Sequence, residues 1–163
     1  LCVVGMDEDA DIIGRFKPSI EKDMHRFIYI KRPDTNAVIH SHSKFATLAA
    51  SIEGVALIPI IDVESISYLG GEVPVAPFHP AGSLELAEEI RTSIGSRAAV
   101  LMENHGAVSV SYNMEKAMIV NDNLERTCEQ FLWILAMGKE IKKIPDDYVK
   151  SVKNISLKNR KVI

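Results

Sequence analysis

Apolar and polar positions alternate along the chain with two periods, and the periods divide it into helices and strands. Leu1-Cys2-Val3-Val4 reads as a strand, followed by an acidic turn over residues 5–11. Pro18-Ser19 then opens a helix, with Ser19 as its N-cap. Ile20, Met24, Phe27 and Ile28 form its apolar stripe up to about Ile30, and Pro33-Asp34 breaks it. Residues 37–40 read as a strand and 45–52 as an alanine-rich helix that stops before Gly54. The continuous apolar run 55–61 has strand length and predicts burial on both sides, while Pro59 predicts a bend or an edge position. Residues 62–69 fit neither period. Gly70-Gly71 is a turn, lacking the strand–loop–helix context of a nucleotide fingerprint, and 73–76 is extended. Ser83 caps a helix over 84–94, with Glu85 favourably placed in its first turn. Strands at 98–102 and 107–111 flank a tight connection. Asn113 caps a long helix over 114–137, whose stripe is Ala117, Val120, Leu124, Cys128, Phe131 and Leu135, and Gly138 ends it. The basic tail, residues 139–163, shows weak periodicity and reads as a solvated surface segment.

This order predicts an α/β fold with a mostly antiparallel central sheet covered by helices. At 163 residues the chain is long enough for one domain with a sizeable core, spanning 1–163. A chain that opens inside a strand reads as N-terminally incomplete. Composition narrows the function. Hydrophobic residues are 47% and charged residues 25%, and the net charge of -3 gives no field that favours nucleic acid or an anionic membrane. No apolar run is long enough to cross a bilayer, and no signal-peptide pattern is seen at the start. Two cysteines, Cys2 and Cys128, do not make a disulfide framework, which fits a reducing cytoplasm.

Three histidines carry the chemistry. His40 and His42 end the strand that begins at Ala37, and residues i and i+2 of a strand share a face. Two imidazoles on one face offer a rigid platform for a metal ion. His105, in Asn104-His105-Gly106, is the natural third ligand and Glu21 a possible fourth group. On spacing alone, the alternative of unrelated histidines in a small domain stays open. His25 lies one helical turn after Glu21 and reads as structural. His79 reads as a loop-surface residue, and Asn104 as a turn residue before a positioning one.

Taken in order, a helix-start serine followed by Glu21, Arg32-Pro33-Asp34, Ala37-Val38-Ile39-His40-Ser41-His42-Ser43, Gly71-Glu72-Val73-Pro74, Gly82-Ser83-x-Glu85-Leu86-Ala87 and Asn104-His105-Gly106 make a recognisable set. The chain resembles the class II aldolase/adducin family from about Gly14 to Gly138, closest in pattern to its fuculose-phosphate aldolases. The resemblance implies that His40, His42 and His105 bind one zinc ion per subunit. It implies that Glu21 is the catalytic acid/base, where the family's epimerases place aspartate, and that Ser19 helps hold a substrate phosphate. The second hydroxyl of the family's pair is replaced by Ile20, the phosphate loops of its N-terminal part are absent, and no tyrosine aligns with those the aldolases use.

By the same resemblance the substrate is a sugar phosphate. A ketose 1-phosphate is split through a metal-stabilised enediolate into dihydroxyacetone phosphate and a short aldehyde, by a homotetramer. The alternatives on this scaffold are a 4-epimerase, a dehydratase or a decarboxylase, or a non-catalytic adducin-like assembly module. Adducin heads lack the metal histidines, and the intact set here argues against the last.

Overall fold

A computed structural model describes residues 1–7 and 12–160. The acidic turn expected at 5–11 lies largely outside the described residues. Strands β1 (Cys2–Val4) and β2 (Ile12–Gly14) pair antiparallel in a small sheet of their own. The main sheet has five strands: β3 (Ala37–Ser41), β4 (Leu57–Ile58), β5 (Val73–Ala76), β6 (Ala99–Met102) and β7 (Gly106–Ser111). Their spatial order is β3-β7-β6-β5-β4. Only the β5–β6 pair is parallel, so the sheet is mostly antiparallel, as expected.

The helices are α1 (Lys22–Lys31), α2 (Lys44–Ala49), α3 (Leu84–Ser93), α4 (Met114–Ala136) and α5 (Asp146–Arg160). Strand pleating sends alternate residues to opposite faces, and each face has its own core. On one, Val38, Val100, Met102, Val108 and Val110 pack against Met24 and Ile28 of α1 and Leu86 and Ile90 of α3. On the other, Ala99, Leu101 and Ala107 pack against Ala46 and Ala49 of α2 and Val120, Leu124 and Cys128 of α4. The result is three layers, helix–sheet–helix. β6 lies inside the sheet and is buried along its whole length, which is why it reads as an unbroken apolar run.

Two caps are where the sequence puts them: Ser83 accepts from the Leu86 N–H and Asn113 from the Lys116 N–H. Other expectations need correction. Helix α1 begins at Lys22 with Glu21 at its N-cap. Ser19 does not cap it: its Oγ accepts from the Glu21 N–H at 3.1 Å and closes a short turn ahead of the helix. Helix α2 stops at Ala49, because Ser51 and Ile52 close turns onto Leu48 and Ala49.

Only two residues of the run 55–61 join the sheet, as edge strand β4, and Leu57 is 45% exposed, so the run is not buried on both sides. Its edge position suits Pro59, which has no N–H to donate to a further strand. The stripe of α4 fades beyond Cys128: Thr127 is buried, whereas Leu135 is exposed. The stretch that fits neither period is a π-helical turn, Ser65–Leu69, closed by Gly70 in the left-handed region at φ 81°.

The basic tail has no buried residue over 139–153, as a surface segment should, but it is not irregular. It forms α5, which packs on the π-helical turn, with Lys153 against Gly71. Pro145 ahead of the helix, with Asp146 and Asp147 in its first turn, supplies start signals that an apolar-periodicity reading passes over. No described helix is long and apolar enough to cross a membrane.

Candidate metal centre

Antiparallel pairing of β3 with β7 builds the site. His40 faces Val108 and Ser41 faces Ala107, so the C-terminal end of β3 lies beside the start of β7. That start is the β6–β7 turn, which carries His105. The turn is tight: Asn104 sits at φ 54°, and the His105 N–H donates to the Met102 carbonyl at 3.1 Å. Gly106 must be glycine, because a Cβ there would meet the Ser41 carbonyl oxygen at 2.5 Å.

The three imidazoles converge. Their ring centroids are 4.9, 5.1 and 5.2 Å apart, with ring planes 68–79° to one another. One nitrogen from each lies within 4.8 Å of the others. The Nε2 atoms of His40 and His42 are 3.1 Å apart. Two nitrogens bound at about 2.0–2.1 Å to one tetrahedral ion would lie about 3.3 Å apart, so this spacing fits a shared ion. The His40 Nδ1 faces the Ala107 carbonyl at 3.1 Å, which fixes that ring and leaves Nε2 turned to the centre. Burial, together with the neighbouring His105 and His42, lowers the His40 pKa against the opposing pull of the Ala107 carbonyl and Glu21. The shift favours the neutral imidazole, the form that ligates metals.

Glu21 reaches the same place from α1 and is only 6% exposed. Its Oε1 accepts from the Gly82 N–H at 3.1 Å and lies 3.8 Å from the His105 Nε2. His25, a turn further on, is partly buried, and desolvation lowers its pKa although Glu21 pulls the other way. His79 is half-buried in its loop, apart from the three convergent rings. Ser19 is exposed in front of α1, and the neighbouring Ile20 points into solvent at 69% exposure.

Four of the five expected site residues, Glu21, His40, His42 and His105, thus come together, and Ser19 lies two residues from Glu21. The backbone N–H of Gly82 had no signal in the sequence beyond a turn glycine before a cap. Nor did the side chains behind the histidines. Ser41 Oγ donates to Asn121 Oδ1 at 2.8 Å, and Glu125 accepts from the Phe45 and Ala46 N–H groups at 2.8 Å each.

With this geometry in view, comparison with known proteins is decisive. Residues 1–132 match the family described as Class II Aldolase and Adducin N-terminal domain. The chain belongs to this family. It is 32% identical over 155 residues to 5-deoxy-D-ribulose 1-phosphate aldolase of Bacillus thuringiensis, covering 92% of this chain and 69% of that one. It is 30% identical over 132 residues to L-fuculose phosphate aldolase of Escherichia coli, covering 81% of this chain and 60% of that one. A solved structure of L-fuculose 1-phosphate aldolase superposes with a TM-score of 0.85 at 26% identity, covering 94% of this chain and 70% of the other. The chain thus spans 60–69% of the length of these two curated relatives.

Proposed function

We propose that the protein is a metal-dependent aldolase that splits a ketose 1-phosphate into dihydroxyacetone phosphate and a short aldehyde. One observation carries this reading: three converging imidazoles with a buried carboxylate, Glu21, 3.8 Å from one of them. His40, His42 and His105 would hold the ion, and zinc suits three neutral nitrogen donors with a position left open. Bound there, a divalent ion supplies Lewis-acid stabilisation of the negative charge that develops on the donor fragment.

The chain's own residues do the rest. Cleavage breaks the bond between C3 and C4. The C4 hydroxyl gives its proton to water and becomes the aldehyde, and the bond pair stays with the three-carbon fragment. Glu21, having taken a proton from water, then delivers it to C3. Gly82 steadies its Oε1, and Oε2 has no hydrogen-bond partner among the described residues and is free to carry that proton. A fixed carboxylate in this role contributes about two to four orders of magnitude. Glu21, rather than aspartate, favours cleavage over epimerisation. Ser19, whose hydroxyl still has its own proton to donate, takes the substrate phosphate.

The test is an aldehyde-release assay over a panel of ketose 1-phosphates, with and without chelator. Chelator-sensitive release of aldehyde supports the reading. Release of carbon dioxide from a keto acid phosphate, or epimerised product without cleavage, would assign the scaffold to a decarboxylase or an epimerase instead.

The assembly we propose is a homotetramer. Trp133 near the end of α4 and Met137 at its C-cap are four residues apart and share a face, are exposed at 62% and 61%, and offer an apolar surface for a neighbouring copy. A cytoplasmic setting is supported by the two free cysteines.

A further inference from the structure

We propose that Asn121 and Glu125, one turn apart on α4, are positioning residues that hold His42 in place; the inference rests on reading the three histidines as a metal centre. His40 and His42 are fixed by different means. The ring of His40 is oriented by the Ala107 carbonyl. His42 lies just past the end of β3, is exposed, and has no carbonyl or carboxylate partner on its ring among the described residues; its one ring hydrogen bond there is with the Nε2 of His40. A ligand without an orienting partner depends on its backbone for aim.

That backbone is gripped on both sides from α4. Upstream, the hydroxyl of Ser41 donates to Asn121 and also meets Ser43 Oγ at 3.0 Å. Downstream, Ser43 stands at the N-cap of α2 but makes no capping bond through its own side chain. The free N–H groups of the first turn go instead to Glu125, whose two carboxylate oxygens take Phe45 and Ala46, each at 2.8 Å. A carboxylate there also faces the positive end of the helix. Asn121 and Glu125 are i and i+4 and so present one face of α4 to the strand–helix junction. Between the two grips lies His42. On the sheet side, Gly106 packs so closely on the Ser41 carbonyl that a Cβ there would meet its oxygen at 2.5 Å.

The experiment reads Co2+ affinity by competition with a chelator, together with the visible spectrum of bound Co2+, without any activity assay. Glu125→Gln sets an amide N–H2 against a backbone N–H. It is expected to weaken Co2+ binding by about 10–100-fold and to change the visible bands. Asn121→Leu should act in the same direction, and Asn121→Asp, which keeps an acceptor for Ser41, should restore wild-type binding. Cys128→Ala, in the same helix but outside the grip, controls for lost stability and should bind Co2+ as wild type does. Amide exchange at Phe45 and Ala46 in metal-free protein should quicken in Glu125→Gln alone. If Glu125→Gln does not fold, the contrast between Asn121→Leu and Asn121→Asp decides. Wild-type affinity in both Glu125→Gln and Asn121→Leu, or an equal loss in Cys128→Ala, overturns the proposal. Folded wild type that takes up no Co2+ overturns the metal reading and the positioning roles with it, whereas the exchange data report on the grip separately.

Discussion

Glu21 is the residue whose replacement isolates chemistry from architecture. Glu21→Gln keeps the acceptor for the Gly82 N–H and the size of the buried side chain, so fold and metal content should be retained. Turnover should fall by about a hundredfold or more, since the amide cannot carry the proton. Near-normal turnover in a metal-replete variant would remove Glu21 from the mechanism. Ser19 and Ile20 raise a second residue-scale question, whether phosphate is read. Ile20 takes away one hydroxyl donor, and a hydrogen bond to a charged group is worth about 1.5–3 kcal/mol, so phosphate binding should be weakened rather than lost. Phosphoglycolohydroxamate should therefore compete far better than its unphosphorylated analogue; equal competition would point to an unphosphorylated substrate. Cys128 needs no functional role. Burial, with the Glu125 charge nearby, pushes its thiol up to about 12. At pH 8 it stays protonated and should resist alkylation in the native state, while the half-buried Cys2 reacts.

At the scale of elements, two junctions set how firmly the layers hold. Arg32 follows α1 and is 8% exposed. Its guanidinium forks onto both Asp34 oxygens and also donates to the Gly95 and Arg97 carbonyls, tying the end of α1 to the loop after α3. Arg32→Ala leaves two carbonyls and a carboxylate without this donor. It should cost about 3 kcal/mol in urea unfolding.

The second junction is the π-helical turn. Burial alone would raise the Asp62 carboxyl, but the Ser65 N–H, Arg126 and Gln130 outweigh it and hold the pKa below the ordinary value. A group whose folded pKa is depressed contributes stability above its unfolded pKa, about 3.9, and loses it as pH falls through the folded value. Wild type should therefore lose stability on acidification below about pH 4, and Asp62→Asn should flatten that part of the profile. The pair is partly exposed, so the effect should stay under about 1 kcal/mol. An unchanged acid limb in Asp62→Asn would exclude the junction from acid sensitivity.

For the whole molecule, the proposed metal and the proposed assembly would both bear on stability. A ligand bound only by the folded state adds about 2.7 kcal/mol at a hundred times its Kd. Chelation should lower the Tm, and added Zn2+ should restore it; a Tm indifferent to chelator would argue against a shared ion at His40, His42 and His105. Light scattering at micromolar concentration should report a tetramer, and a monodisperse monomer would rule that assembly out. Trp133→Glu should then shift the population toward smaller species, because it buries a charge in any interface formed there.

What was readable along the chain follows from local physics. The Ser83 and Asn113 caps and the apolar run of β6 are short-range signals, and each appears in the fold where it was expected, whereas the helical stripes hold only in part: Ile20 of the α1 stripe and Leu135 of the α4 stripe are exposed. The His40 and His42 rings also meet as expected, although β3 ends at Ser41 and His42 lies one residue beyond it. The failures are also local in origin. Ser19 looks like an N-cap, yet its hydroxyl closes a turn one step earlier. The run 55–61 looks like a buried strand, but its position at the sheet edge leaves Leu57 in water. Helix α5 is marked by proline and aspartates rather than by an apolar stripe. The remaining decisions belong to the tertiary structure. That His105 meets His40 and His42 depends on antiparallel pairing of β3 with β7, which joins residues 66 to 74 positions apart in sequence. That Glu21 reaches them depends on α1 packing on that sheet face and on the Gly82 N–H across 61 residues. The hold of Asn121 and Glu125 on the strand–helix junction spans about 80 residues and leaves no periodic trace, because hydrogen bonds between distant elements answer to packing geometry and not to spacing along the chain.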